Sequence, residues 1–378
     1  MRAPRIVVIG LVLVFSLGLF TALAQEAKRP EAKQPPREVI PKEIKAIMQE
    51  GLATRQGRQE IPFTIFKYLT FPIRGGMHTV IFFKAKNADL GFAAPVPTAG
   101  QAKQAQAAAP ATGTLEARLG LALEFLQADE TGALKVARDT TFPVTLQTDS
   151  AGYDPAKEET YTMGFGLPCG KYTVAMLFSA LDPKKGTADT KRVGVGYYDI
   201  NLPGPESYQA TIDTTPIFFA KAIEQMQEYE RRPVIHKGFF TYSVLQIVPN
   251  IDNVVTAEDK SQIEVFYFVL GAKPKPAEEA QAQPPAQPQQ EKYDIEVNYE
   301  VQNPDGTSAI KWQNQTYLNP LIDQALPLKQ TMKITDEKGV EIRTEQKDLV
   351  AGKYTLVLKI TDKVSGFAVE RKLPFEVK

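Results

Sequence analysis

The sequence predicts an all-β protein: two antiparallel β-sandwiches in tandem, related by an internal duplication, with one short helix ahead of them. Three observations carry this. Apolar and polar residues alternate over short segments, as in Leu119, Leu121, Leu123 and Phe125, and again in Ile295, Val297, Tyr299 and Val301. That period of two belongs to strands with one buried and one wet face. One phrase occurs twice, Leu167-Pro-Cys-Gly-Lys-Tyr-Thr173 and Leu349-Val-Ala-Gly-Lys-Tyr-Thr355, each copy running into a strand-like segment. Finally, each half carries one stretch rich in Ala, Pro and Gln, Ala93 to Gly113 and Lys273 to Glu291, at the same place in its order of strands.

Residues 1–24 read as an export signal. Arg2 and Arg5 precede an apolar run from Ile6 to Phe20, and Ala22-Leu23-Ala24 offers a small-residue cleavage site before Gln25. An uncleaved anchor is the alternative reading, since Ile6 to Ala24 just spans a hydrocarbon layer of ~30 Å. Residues 25–60 are then a leader and a short helix. The leader mixes Pro, Ala and charge without apolar periodicity, whereas Ile44, Ile47, Met48 and Leu52 follow Pro41 at helical spacing.

From Ile61 the period becomes that of strands, giving a first sandwich over residues 61–205. Its strands are expected at Ile61 to Pro72, Thr79 to Lys84, Leu119 to Phe125, Pro143 to Thr148, Glu159 to Phe165, Tyr172 to Leu177 and Arg192 to Asn201. Residues 206–238 form a connector whose conformation the pattern leaves open between strand, helix and hinge. The second sandwich, residues 239–378, is laid over the first by matching an opening strand at Phe239 to Pro249 with Ile61 to Pro72. Strands at Ile263 to Leu270, Ile295 to Val301, Leu326 to Thr335, Val340 to Thr344, Tyr354 to Thr361 and Phe367 to Val377 complete it. The turns Asn303-Pro-Asp-Gly306 and Asp336-Glu-Lys-Gly339 have hairpin composition. The two inserts, 93–113 and 273–291, bury too little apolar surface to order themselves and read as projecting loops.

The repeated phrase resembles the tyrosine corner of immunoglobulin-like and fibronectin type III-like sandwiches, in which a tight turn enters the penultimate strand. The resemblance implies structural roles. Leu167 and Leu349 anchor the turn, Gly170 and Gly352 permit it, and the Tyr172 and Tyr354 hydroxyls bond back to main chain.

Chemistry is sparse. Lys+Arg and Asp+Glu are both 44, so net charge points to neither nucleic acid nor an anionic membrane as partner. The single cysteine, Cys169, precludes an intramolecular disulfide, and the two histidines, His78 and His236, accompany no nucleophile motif. No transition-metal motif, phosphate loop or cofactor fingerprint is present. Asp149, Asp154, Glu158 and Glu159 surround a glycine turn without the alternation a calcium loop needs. No catalytic, cofactor-binding or metal-binding residue is therefore assigned. The expected function is an exported, non-catalytic interaction or structural module, periplasmic or extracellular, that meets protein partners. Two alternatives stand beside it: a carbohydrate-binding module using Trp312 and Tyr317, and a hydrolase whose acidic residues meet only in the fold.

Overall fold

The computed structural model describes residues 39–94, 113–181, 186–230, 233–256, 262–276, 291–335 and 341–378. The stretch expected to be an export signal, most of the expected leader and the centres of both inserts lie outside these. The fold is nearly all β. A helix α1 (Lys42–Glu50) precedes the strands, its Ile44, Ile47 and Met48 buried as the spacing requires.

The first sandwich is built from β1 (Thr64–Ile73), β2 (Gly76–Lys86), a single turn of helix α2 (Asn87–Leu90), β3 (Thr114–Ala128), β4 (Leu134–Asp149), β5 (Glu158–Leu167), β6 (Gly170–Leu181) and β7 (Ala188–Leu202). One sheet runs β1-β2-β5 and the other β4-β3-β6-β7, all antiparallel. Between them Phe63, Phe83 and Phe178 pack edge to face or tilted, at ring separations of 5.0 to 6.0 Å. The long β4 forms an open edge, and Pro143 within it, which lacks an N–H, guards that edge against further strand pairing.

The described part of residues 206–238 supplies short strands to both sandwiches. After a 3-10 turn at Pro205–Tyr208 come β8 (Asp213–Thr214), β9 (Phe218–Gln225) and β10 (Ile235–Lys237). β10 returns to the first sandwich and pairs with β5. The second sandwich continues with β11 (Phe240–Tyr242), β12 (Leu245–Asn250), β13 (Val254–Val255), β14 (Gln262–Leu270), β15 (Ile295–Gln302), β16 (Ser308–Lys311), β17 (Gln315–Tyr317), β18 (Leu321–Pro327), β19 (Lys329–Thr335), β20 (Glu341–Asp348), β21 (Gly352–Asp362) and β22 (Ala368–Val377). One sheet runs β11-β12-β9-β14-β18, the other β13-β22-β21-β15-β16, and β19-β20 is a separate ribbon. The expected Asp336 to Gly339 turn falls outside the described residues.

Two sequence expectations are corrected here. Phe239 to Pro249 is not one opening strand but the hairpin β11–β12, turning at Ser243 with φ 54°. The strand lying beside β14, as β1 lies beside β2, is β9. Leu326 to Thr335 likewise splits into the end of β18 and β19. With β9 in that place the two sandwiches share their wiring. β2 and β14 neighbour β5 and β18, β3 and β15 neighbour β6 and β21, and each insert joins the first pair member to the second, β2 to β3 and β14 to β15.

The sandwiches are not beads on a string. Along β14 alternate residues face opposite ways: Val265, Tyr267 and Val269 enter the second core, while Phe266, Phe268 and Leu270 join the hydrophobic cluster of the first. β9 does the same with Phe219 and Phe218. Phe71 and Phe82, on the outer face of the β1-β2-β5 sheet, meet Phe218, Phe240, Phe266 and Phe268. A buried Phe contributes roughly 1.5–3 kcal/mol, so this aromatic seam is a core in its own right.

Candidate functional site

Each corner is a short hydrogen-bonded loop. Tyr172 Oη donates to the Pro168 carbonyl at 3.1 Å and Tyr354 Oη to the Val350 carbonyl at 3.0 Å, four residues back in both cases. Burial raises the pKa of both phenols, which keeps them donors. Leu167 and Leu349 are buried beneath them. The glycines differ. Gly170 has φ 150°, and a Cβ there would lie 2.7 Å from Gln127 Nε2, whereas a Cβ on Gly352 would make only ordinary contact with the Tyr354 ring. Cys169, beside the first corner, is a partly buried free thiol whose pKa is raised by desolvation, then by Glu206.

Trp312 and Tyr317 are both half-buried against the second core. Tyr317 is held there by its hydroxyl. Tyr267, Tyr299 and Tyr317 form a chain of hydroxyls at 3.2 and 3.0 Å, and Tyr317 donates onward to Gln324 Oε1 at 2.6 Å. Desolvation raises all three phenol pKa values. The chain satisfies polar atoms that would be costly if buried alone, and it turns the Tyr317 hydroxyl inward.

The histidines serve packing. His78 Nε2 lies 3.1 Å from the Thr241 carbonyl across the seam, and its pKa is lowered by burial. His236 Nε2 lies 2.9 Å from Glu230 Oε2, with its ring 4.4 Å from that of Phe239. In the acidic loop Asp149 and Asp154 accept main-chain N–H groups of Ala151 and Ala156. Among the described residues no three His, Cys, Asp or Glu side chains gather to hold a metal ion.

One pair of carboxyls escaped the sequence reading. Glu264 on β14 and Asp323 on β18 share the outer face of their sheet, because the register sets Glu264 opposite Ala325 and Asp323 opposite Phe266. Desolvation, the Asp323 charge and a hydrogen bond between the two carboxyls push Glu264 up to about 7, and desolvation raises Asp323 as well. No local spacing foretells this, since it depends on the partner and register of β18.

Among the clefts on the surface of the described residues are the following two. One, of about 380 Å³, lies at the seam between Tyr68, Tyr208, Leu270 and Arg371. Several of its polar groups are bound internally: Arg371 to Asp213, the Phe268 N–H to Thr215 Oγ1, and Tyr68 Oη to the Asn201 carbonyl. The other, of about 260 Å³, lies between β4 and β10 and is lined by Leu146, Tyr161, Ile235 and Phe239. Glu264 and Asp323 line neither cleft. Among the described residues no helix is long and apolar enough to cross a membrane. No family model matches the chain, and no curated protein sequence matches it.

Proposed function

We propose that the protein is an exported, non-catalytic module of two immunoglobulin-like or fibronectin type III-like sandwiches that holds protein partners at a fixed separation, in a cell envelope or outside the cell. The aromatic seam is the observation that carries this reading. Linked domains move relative to one another unless their interface is large and hydrophobic, and here Phe71, Phe82, Phe218, Phe240, Phe266 and Phe268 make it so. The tyrosine corners and the shared wiring favour the immunoglobulin-like class and an origin by internal duplication. The apolar run at residues 6–20 favours export.

The hydrolase alternative finds its best support in Glu264 and Asp323, but the pair lines neither cleft, so no pocket beside it positions a substrate. The carbohydrate-binding alternative needs ring faces open to a sugar, whereas Trp312 and Tyr317 are half-buried. Capture of partners by the full chain in its native envelope tests the proposal, with a seam variant, Phe71→Ala, in parallel. The same proteins recovered by wild type and lost with the seam variant support the fixed-separation reading. A glycan-array signal abolished by Trp312→Ala, or hydrolysis abolished by Glu264→Gln, replaces it with the corresponding alternative.

A further inference from the structure

The outer face of the β3-β6-β7 layer is covered by α1. Ala122, Leu126, Ala175, Leu177, Val193 and Val195 form an apolar strip there, buried beneath Ile44, Ile47 and Met48. In the middle of the strip lies an acid, Glu124, only 1% exposed. The β3–β4 register sets Glu124 directly opposite Asp139, so two carboxyl side chains are cross-strand neighbours. α1 reads the pair with residues one turn apart: Lys45 Nζ reaches Asp139 Oδ2 at 2.8 Å, and Gln49 Nε2 reaches Glu124 Oε2 at 2.9 Å. Glu124 Oε1 has no hydrogen-bond partner among the described residues. Two neighbouring polar side chains are engaged elsewhere. Tyr197 Oη from β7 donates to the Met48 carbonyl at 2.6 Å, and Arg55 binds Thr173 of β6 and Asp199 of β7.

A carboxylate enclosed by apolar side chains, with one neutral donor and a second carboxylate across the ladder, is strongly disfavoured in its charged form. Burial is the main cause that raises the Glu124 pKa. The Lys45 charge and the Gln49 hydrogen bond oppose it, and Asp139 adds to it. We propose that α1 is a releasable clasp, seated on the sheet while Glu124 is an uncharged acid and loosened as that carboxyl ionises, which bares the apolar strip beneath.

With α1 lifted, Glu124 faces water and titrates near its ordinary 4.5. With α1 seated it holds its proton to higher pH. Docking is therefore strongest below that ordinary value, weakens by up to about tenfold per pH unit as pH rises toward the seated pKa, and is constant above it.

Hydrogen exchange of the full chain between about pH 4 and about pH 8, corrected for intrinsic exchange, tests this. Amides of Lys42–Glu50 are expected to lose protection along that profile while amides of β21 in the second sandwich keep theirs. Glu124→Gln, which fixes the neutral shape, is expected to hold α1 protected at every pH. A flat wild-type profile, or a Glu124→Gln profile that falls in parallel with wild type, overturns the proposal. Should Glu124→Gln fail to fold, Gln49→Leu removes the hydrogen bond that favours the anion and is expected to deepen the fall; an unchanged depth is equally fatal.

Discussion

Replacing Phe71 by Ala uncouples the two sandwiches. Phe71 is fully buried, and five rings from the second half of the chain surround it: Tyr242 at 4.8 Å, Phe240 at 5.6 Å, Phe266 at 6.0 Å, and Phe218 and Phe268 both at 6.3 Å. A buried Phe→Ala change costs about 3–5 kcal/mol through lost burial and the cavity left behind. Because the ring is inserted mainly among residues of the other sandwich, that loss falls on the coupling between sandwiches more than on either core. The assay follows from the sequence. The single tryptophan, Trp312, packs in the second sandwich, so its fluorescence reports that sandwich alone, whereas far-ultraviolet circular dichroism reports both. In wild type the two denaturant transitions are expected to coincide, as one cooperative unit requires. In Phe71→Ala they are expected to separate. A stability loss under about 1 kcal/mol, or transitions that remain coincident and unshifted, would refute a load-sharing seam, since ordinary buried-Phe deletion costs several times more.

The corner tyrosines separate hydroxyl from ring: Tyr354→Phe is expected to cost about 0.5–1.5 kcal/mol and Tyr354→Ala about 3–5 kcal/mol in denaturant melts. Equal and negligible effects would contradict the bond to Val350. Glu264 binds its proton more tightly folded than unfolded, so its contribution to stability is fully present below pH 4.5, declines as pH rises toward about 7, and is level above that. Melting temperatures of wild type minus Glu264→Gln should trace this fall; a difference independent of pH would show that the carboxyl pair does not form. Exchanging residues 95–112 and 277–290 for short Gly/Ser turns should leave the melting transition nearly unchanged, because loop closure changes by only about 0.6 kcal/mol per doubling of length. Ala93 stays in that design, since its main chain pairs with Glu116 in both directions. Collapse of folding on exchange would mean that the inserts pack as structure.

By itself the sequence determined what depends on near neighbours along the chain. Alternation at Ile295 to Val301 marks a strand with one buried face, and the structure buries those positions; at Leu119 to Phe125 it marks the core face correctly, but the face expected to be wet is buried too, because Ala122, Glu124 and Leu126 lie under α1. The corners are equally local, a tyrosine bonding four residues back. So is α1, whose buried positions follow from its spacing. Tertiary structure decided everything that needed a partner strand. β9 has no alternation to read, because Phe218 faces the seam and Phe219 the second core. The unbroken apolar run Val265 to Leu270 was the visible trace of the same two-sided burial, but a run of that kind does not say what covers its second face. The β11–β12 hairpin turns at Ser243 without the Gly, Asn or Asp that would announce a positive φ. Glu264 meets Asp323, and Glu124 meets Asp139, only through registers between strands. Chain-local pattern fixes which faces are apolar; which faces meet, and which charges are trapped between them, is set by long-range pairing that leaves no periodic signature.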